Sequence, residues 1–179
     1  MQKFSEYILN QKDFYKKIDT MIFVSKKAPI FFDKSVILKT MIAKLFIETM
    51  KLDVDENLVI TACLLYACKK NQDAQSLDKV KSYAGESADF LKRLGFSERF
   101  CKICLEHNRY NDSKHREKES DILELVDQLG GMMVDREERR GFPLDEAIVL
   151  LEYRNLKDSN NVFINEFKEF INMEMEIIV

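Results

Sequence analysis

Helix-breaking residues are rare along this chain of 179 residues, which contains only 5 glycines and 2 prolines. Its apolar residues recur every three or four positions, and no stretch alternates apolar and polar residues as a half-buried strand would. A β-rich fold of this length would need many tight turns, which glycine and proline usually supply. The pattern therefore predicts an all-α fold, a helical bundle of about seven to nine helices.

The chain is expected to form a single domain over residues 1–179, because its length suits one domain and it contains no repeat or low-complexity tract. The core is expected over about 33–151, with an N-terminal helix at 5–24 and a C-terminal helix at 161–173. The nearly continuous apolar stretch LVITACLLYAC predicts a central buried helix.

Local signals predict where several helices begin, end or pack closely. Asp33, Asp55 and Ser97 are suited to cap helix N-termini. Gly95 is suited to end the second of two short helices, predicted at 77–84 and 86–94. Gly130–Gly131 would allow close packing or a kink.

The overall charge argues against two classes of partner. The net charge is -3 and the pI about 5.6, whereas general nucleic-acid binders are usually basic. No apolar run approaches the roughly 20 residues of a membrane helix, and the N-terminus has no signal-peptide pattern. We expect a cytoplasmic protein with no membrane partner, whose four cysteines are buried thiols.

Residues 120–151, SDILELVDQLGGMMVDREERRGFPLDEAIVLL, carry a motif series of a known superfamily. Asp127, the pair Asp135–Arg136, Arg139 and the Pro-x-x-Glu-Ala run at 143–147 have the order and spacing found in the closing segment of HD-GYP domains. This segment therefore resembles the HD-GYP branch of the HD phosphohydrolase superfamily.

Two further stretches extend the resemblance towards the N-terminus. Residues 97–112 resemble the helix end that reads H-H-E-R-x-D-G in that family, and residues 60–70 resemble its A-x-L-L-H-D-I-G-K element. The resemblance covers about residues 33–151 and implies an HD-domain-like helical bundle. The Gly-Tyr-Pro triplet that names the branch is absent.

HD enzymes hold two or three metal ions between helices with histidine and carboxylate ligands, and the metals activate a water for phosphoester hydrolysis. Here most positions that align with those ligands carry other residues. The His-Asp doublet falls at Tyr66 and Ala67, and the histidine of the H-P-E-x-G segment at Tyr83. The first histidine falls near Lys34 or Ser35, without an exact register. The resemblance thus implies a degenerate site with no catalytic residue, apart from the retained Lys70.

Three aligned ligands remain, Glu106, His107 and Asp127. We expect no cofactor, but three ligands can hold one ion, and His with carboxylates suits Fe or Mn. The alternative is a cluster without metal. Asp127 lies in an otherwise apolar segment, where a carboxylate needs a cation, and the ammonium of Lys34 would replace the metal charge.

The tyrosines at the aligned histidine positions allow two interpretations. Tyr66 and Tyr83 either fill the former pocket or form a stacking platform for a nucleobase. Lys70, Arg136 and Arg139 are candidates for phosphate or nucleotide binding, because cations in this part of the family reach substrate phosphates and guanidinium groups suit phosphate geometry. Arg136 and Arg139 could equally lie on a solvated helix end.

Three functions follow from the resemblance. The first is a catalytically degenerate domain acting in signalling as a regulatory or protein-interaction module, with a protein partner or a homodimer contact through the Phe-rich last helix. The second is a sensor of a nucleotide or cyclic dinucleotide without turnover. The third is a metal-dependent phosphohydrolase with a reduced metal site.

Overall fold

The computed structural model describes residues 3–70, 77–107, 116–135, 139–158 and 161–178. These residues form nine α-helices and no β-strand, as the sequence predicts. In chain order the helices are α1 (Phe4–Asn10), α2 (Phe14–Ser25), α3 (Lys34–Met50), α4 (Glu56–Leu65), α5 (Leu77–Arg93), α6 (Glu98–Glu106), α7 (Lys118–Met133), α8 (Leu144–Asp158) and α9 (Ile164–Ile178).

Three helices begin at the predicted caps. The side-chain oxygens of Asp33, Asp55 and Ser97 each accept a hydrogen bond from a backbone N–H in the first turn of α3, α4 and α6. These bonds satisfy donors that a helix leaves without an intrahelical partner. Gly95 has a φ of 88°, so it ends α5 in the left-handed conformation that glycine adopts without strain.

Two helix predictions are wrong in their boundaries. The predicted helix at 5–24 is two helices, because the side chain of Asp13 accepts a hydrogen bond from Lys16 N and starts α2 anew. The two helices predicted at 77–84 and 86–94 are one continuous helix, α5. Gly85 lies inside it, where a Cβ would meet open space, so nothing there requires a break.

Helix α4 is central to the bundle, as its composition predicts. All residues from Val59 to Leu65 are buried, and α4 packs against α1, α2, α3, α6 and α7. The four cysteines are free and buried, which confirms that expectation. Burial raises the pKa of the Cys63 and Cys104 thiols, so they stay protonated.

Helix α9 packs its Phe-rich face inside the same chain. The ring of Phe46 on α3 lies 4.9 Å from the ring of Phe167 and 5.3 Å from that of Phe170, measured between centroids. This corrects the expectation that these phenylalanines form a homodimer contact, because burying them against α3 already removes them from water. Across the described residues, no helix combines the length and apolarity needed to span a bilayer.

Candidate functional site

Five side chains from five parts of the bundle meet in one polar cluster inside the core. They are Lys39 on α3, Tyr66 at the end of α4, Tyr83 on α5, His107 at the end of α6 and Asp127 on α7. We refer to these five residues as the Asp127 cluster. Four of them stand at positions that the HD-GYP resemblance would align with ligands, and the fifth, Lys39, was not expected.

A buried salt bridge forms the centre of the cluster. Lys39 Nζ lies 2.7 Å from Asp127 Oδ1; the lysine side chain is 3% exposed and the aspartate side chain 23% exposed, so the ammonium is the buried partner. Lys39 Nζ also donates to the Tyr66 hydroxyl at 3.0 Å, and that hydroxyl donates to Asp127 Oδ1. The helices α3, α4 and α7 are thereby joined through one carboxylate oxygen.

The charges around Asp127 keep it ionised. Burial alone would raise the pKa of this carboxyl, but the ammonium of Lys39, with a smaller contribution from Lys70, holds the pKa well below its usual range. The ammonium of Lys39 thus supplies the positive charge that a carboxylate in an apolar environment requires.

Gly130 explains how Lys39 reaches Asp127. A Cβ at position 130 would lie only 2.5 Å from Lys39 Cγ, which is closer than carbon atoms approach without a shift of one group. The glycine therefore leaves room for the lysine stem to cross α7 close to Asp127. The close packing expected from Gly130–Gly131 is present at Gly130.

The hydrogen bonds of His107 define its tautomer. His107 Nδ1 lies 2.6 Å from the carbonyl oxygen of Cys104, which can only accept, so Nδ1 carries the hydrogen. Burial lowers the pKa of His107 despite the opposing charge of Asp127, which leaves the ring neutral. Nε2 is then an acceptor, and the Tyr83 hydroxyl donates to it at 2.9 Å. The lone pair that could hold a metal is used by Tyr83.

Tyr66 and Tyr83 are buried, and the hydroxyl of each donates a hydrogen bond. Burial, reinforced by the charge of Asp127, raises the pKa of Tyr66 and Tyr83 well above the usual value. The Tyr66 ring meets the His107 ring edge-on, with centroids 4.6 Å apart. Because Tyr66, Tyr83 and Ala67 are all buried, the tyrosines fill the space as one interpretation predicts. They leave no open ring face for the alternative, a stacking platform.

Lys34 does not occupy the predicted position. It is exposed in the first turn of α3, whereas Lys39 makes the salt bridge to Asp127. The sequence contained a signal for this. Val36 and Ala43 are buried on α3, and position 39 lies three residues after the one and four before the other, so it shares their inward face.

Glu106 lies outside the Asp127 cluster. Its Oε2 accepts a hydrogen bond from Glu117 N at 3.1 Å, and its Oε1 lies 3.6 Å from Lys102 Nζ, so the carboxylate is turned towards the start of α7. Among the described residues, no three histidine, cysteine or carboxylate side chains converge to hold a metal ion. The structure therefore brings His107 and Asp127 together without Glu106.

The candidate phosphate-binding residues that the structure describes, Lys70 and Arg139, have different neighbours. Lys70 is half-buried near the Asp127 cluster, with Nζ 5.7 Å from the centroid of the Tyr83 ring. Arg139 donates to the carbonyl oxygens of Gly131 at 2.8 Å and Met132 at 3.1 Å, so its guanidinium caps the end of α7. Arg136 lies outside the described residues.

A second ion-pair cluster lies at the other end of α7. The Arg116 guanidinium lies 3.0 Å from Asp121 Oδ1 and 3.0 Å from Glu124 Oε2, and Asn161 Nδ2 donates to Glu124 at 3.2 Å. We call Arg116, Asp121, Glu124 and Asn161 the Arg116 cluster. It binds the start of α9 to α7.

A polar cavity of about 590 Å³ lies beside the start of α7. Its wall carries cations, including Arg99 and Lys118, and an equal number of carboxylates, including Asp53 and Glu119. Arg99 Nη2 is paired with Glu119 Oε1 at 2.8 Å. The balance of charge gives this cavity no preference for an anion or a cation.

Compared with known proteins, the chain matches no family model, no curated protein and no solved structure. Any function must therefore be argued from the geometry of the site and from the motifs in the sequence.

Proposed function

We propose that this chain is a catalytically inactive HD-GYP-like domain that acts as a regulatory or protein-interaction module. The observation that carries the proposal is the buried salt bridge between Lys39 and Asp127. An ammonium supplies positive charge to the carboxylate, but it has no open coordination position and cannot activate a water for hydrolysis. The ammonium would replace the charge of a metal ion but not its ability to activate water.

The composition of the cluster supports the same proposal. Tyr66, Tyr83, His107 and Asp127 stand where the motifs align with ligands of one metal site. They form two hydrogen-bonded pairs, Tyr66–Asp127 and Tyr83–His107, which meet at the edge-on contact of the Tyr66 and His107 rings. Protonated tyrosines and the methyl group of Ala67 offer little to a cation. The remaining histidine lone pair is bonded to Tyr83.

The two alternatives have less support. A phosphohydrolase with a reduced site would need Glu106 beside His107 and Asp127, and Glu106 faces the start of α7 instead. A nucleotide sensor would need cations free to meet a phosphate, and Arg139 is bonded to the end of α7. No specific observation favours either alternative over an inactive module.

The first experiment is elemental analysis of protein purified without chelator, before and after incubation with Mn²⁺ or Fe²⁺. It is followed by assays against cyclic di-GMP and bis(p-nitrophenyl) phosphate. We expect far less than one metal ion per chain and no turnover. One or more bound ions per chain, with hydrolysis that the Asp127→Asn variant abolishes, would overturn the proposal.

A rebuilding experiment tests the resemblance separately. The first histidine is placed at Lys39, the α3 residue beside Asp127, rather than near Lys34. We expect the variant Lys39→His/Tyr66→His/Ala67→Asp/Tyr83→His to take up Mn²⁺ when circular dichroism shows that it is folded. The matched control adds Asp127→Asn and should lose the uptake. A folded variant that binds no metal would contradict the HD-GYP resemblance while leaving the inactivity of the natural chain in place.

A further inference from the structure

Helix α2 has two faces of different chemistry. Its inward face buries Met21 and the side chain of Lys17 against α4. Its outward face presents Tyr15, which is 74% exposed, and Phe23, which is 64% exposed. These are the two most exposed large apolar side chains among the described residues. Nothing in the described part of the chain covers them.

Lysines surround the two exposed rings. Lys12 and Lys16 lie at the start of α2 and Lys26 and Lys27 at its end, and all four are exposed. Within the described residues, no ion pair joins Lys12, Lys26 or Lys27 to a carboxylate, and Lys16 has only a loose pair, at 3.9 Å, with Asp13. We define the α2 face as these four lysines with Tyr15 and Phe23.

The α2 face is a basic region of an acidic chain. Residues 12–27 contain five lysines and two aspartates, whereas the whole chain has a net charge of -3. At 100° per residue, Tyr15, Asp19 and Phe23 fall on one side of the helix. Asp19 thus lies within the α2 face and Asp13 lies beside Lys16 at its start, but the four lysines outnumber these two carboxylates. The charge of the α2 face therefore complements an anionic partner.

The residue types distinguish between anionic partners. Every cation of the α2 face is a lysine, whereas protein interfaces are depleted in lysine and enriched in arginine, and forked recognition of phosphates favours arginine. Lysine stems beside aromatic rings suit a lipid surface. The rings enter the headgroup region, while the ammonium groups stay in water among anionic headgroups.

We propose that the α2 face binds the surface of a bilayer that contains anionic lipids. This contact requires no spanning helix. The proposal therefore departs from the sequence-based expectation of no membrane partner, which rested on the absence of a long apolar run. It is independent of the Asp127 cluster and of any reaction there.

The test is co-sedimentation of the full chain with vesicles. One set contains only phosphatidylcholine, and the other contains equal parts of phosphatidylcholine and phosphatidylserine. We expect binding to the second set only, and its release as salt is raised to about 0.5 M, because screening shortens the reach of surface charges. Binding that is equal for both sets, or absent from both, would overturn the proposal.

Matched variants locate the contact. Each lysine near an anionic surface contributes about a fivefold gain in partition, so Lys26→Glu/Lys27→Glu should weaken binding about 25-fold or more. The control Lys92→Glu/Lys118→Glu changes the net charge equally at exposed positions elsewhere and should bind as the natural chain does. Equal losses in both variants would place the contact outside the α2 face.

The aromatic variant Tyr15→Ser/Phe23→Ser completes the test. It should weaken vesicle binding without changing the thermal midpoint, since both rings are exposed. Soluble poly-glutamate serves as the competing probe. Binding to poly-glutamate that is lost in Lys26→Glu/Lys27→Glu, with no binding to either vesicle, would identify an acidic protein segment as the partner and overturn the lipid assignment.

Discussion

Helix α7 carries two aspartates with opposite electrostatic environments, Asp121, which is buried, and Asp127, whose side chain is 23% exposed. Burial raises the pKa of Asp121, and the neighbouring carboxylates Glu124 and Glu106 raise it further against the attraction of Arg116. At Asp127 the ammonium of Lys39 outweighs burial, and the pKa is lowered. Within two turns of one helix, the ionised form is thus disfavoured at Asp121 and strongly favoured at Asp127.

The difference shows what each cluster does for the fold. The Arg116 cluster shares one guanidinium between two carboxylates close in sequence, and it binds the start of α9 through Asn161. The Asp127 cluster joins residues 88 positions apart through a one-to-one pair. A crowded local cluster tolerates the loss of one carboxylate, whereas an isolated long-range pair does not.

Removing the charge of each aspartate should separate the clusters most clearly. We expect Asp127→Asn to lower the free energy of unfolding by about 3–5 kcal/mol, because it leaves the Lys39 ammonium buried without a counter-charge. Asp121→Asn should change it by less than about 1 kcal/mol, because it relieves crowding among carboxylates. Urea denaturation of both variants measures the difference, and equal losses would contradict the comparison.

Filling the space at Gly130 should produce the next largest effect. Gly130→Ala should cost about 1–3 kcal/mol, since the new methyl group would displace the Lys39 stem. The matched control is Gly85→Ala, which adds a methyl group in open space inside α5 and should stabilise by about 0.5–1 kcal/mol. If both substitutions stabilise the chain, the close contact between Gly130 and the Lys39 stem is contradicted.

The two aspartates should change the stability of the fold in opposite directions as the pH falls. The pKa of Asp127 is lower in the folded state than its ordinary value of 3.8, so its stabilisation is present above that pH and is lost below it. The pKa of Asp121 is raised, so its protonation favours the folded state as the pH falls. Asp127→Asn should therefore flatten the acid loss of stability, and Asp121→Asn should steepen it.

The smallest expected effect concerns the periphery of the Asp127 cluster. Tyr83→Phe should cost about 1 kcal/mol, because the buried His107 Nε2 loses its donor while the ring stays in place. Tyr15→Phe is the control at an exposed position and should be neutral. A neutral Tyr83→Phe would show that the hydroxyl does not bond to His107.

The sequence predicted features that depend on neighbours along the chain. Asp33, Asp55 and Ser97 cap helices because a cap acts within one turn. The break at Asp13 was missed because the apolar spacing continues across it, so periodicity alone favoured one helix. Gly85 appeared to separate two helices because its cost in a helix interior, about 1 kcal/mol, is small enough for packing to outweigh.

The salt bridge could be predicted only in part. Asp127 required a cation, and this follows from its apolar surroundings. The identity of the cation depended on how α3 crosses α7. The motifs suggested Lys34, whereas the structure has Lys39 beside Asp127. Whether Glu106 faces Asp127 depends on where the chain enters α7, because the Glu106 carboxylate accepts a hydrogen bond from Glu117 N at the start of that helix.

The Asp127 cluster also limits how the sequence can change over time. Each member is now the hydrogen-bonding partner of another, so Tyr66→His alone would remove a donor from Asp127 before any metal could replace it. Reversion of Tyr83 alone would likewise leave His107 Nε2 unsatisfied or in need of a new partner. Under the proposed descent from a metal-binding site, single substitutions pass through less stable intermediates. A return to metal binding would then be opposed at each single step, because the side chains in place of the ligands stabilise one another.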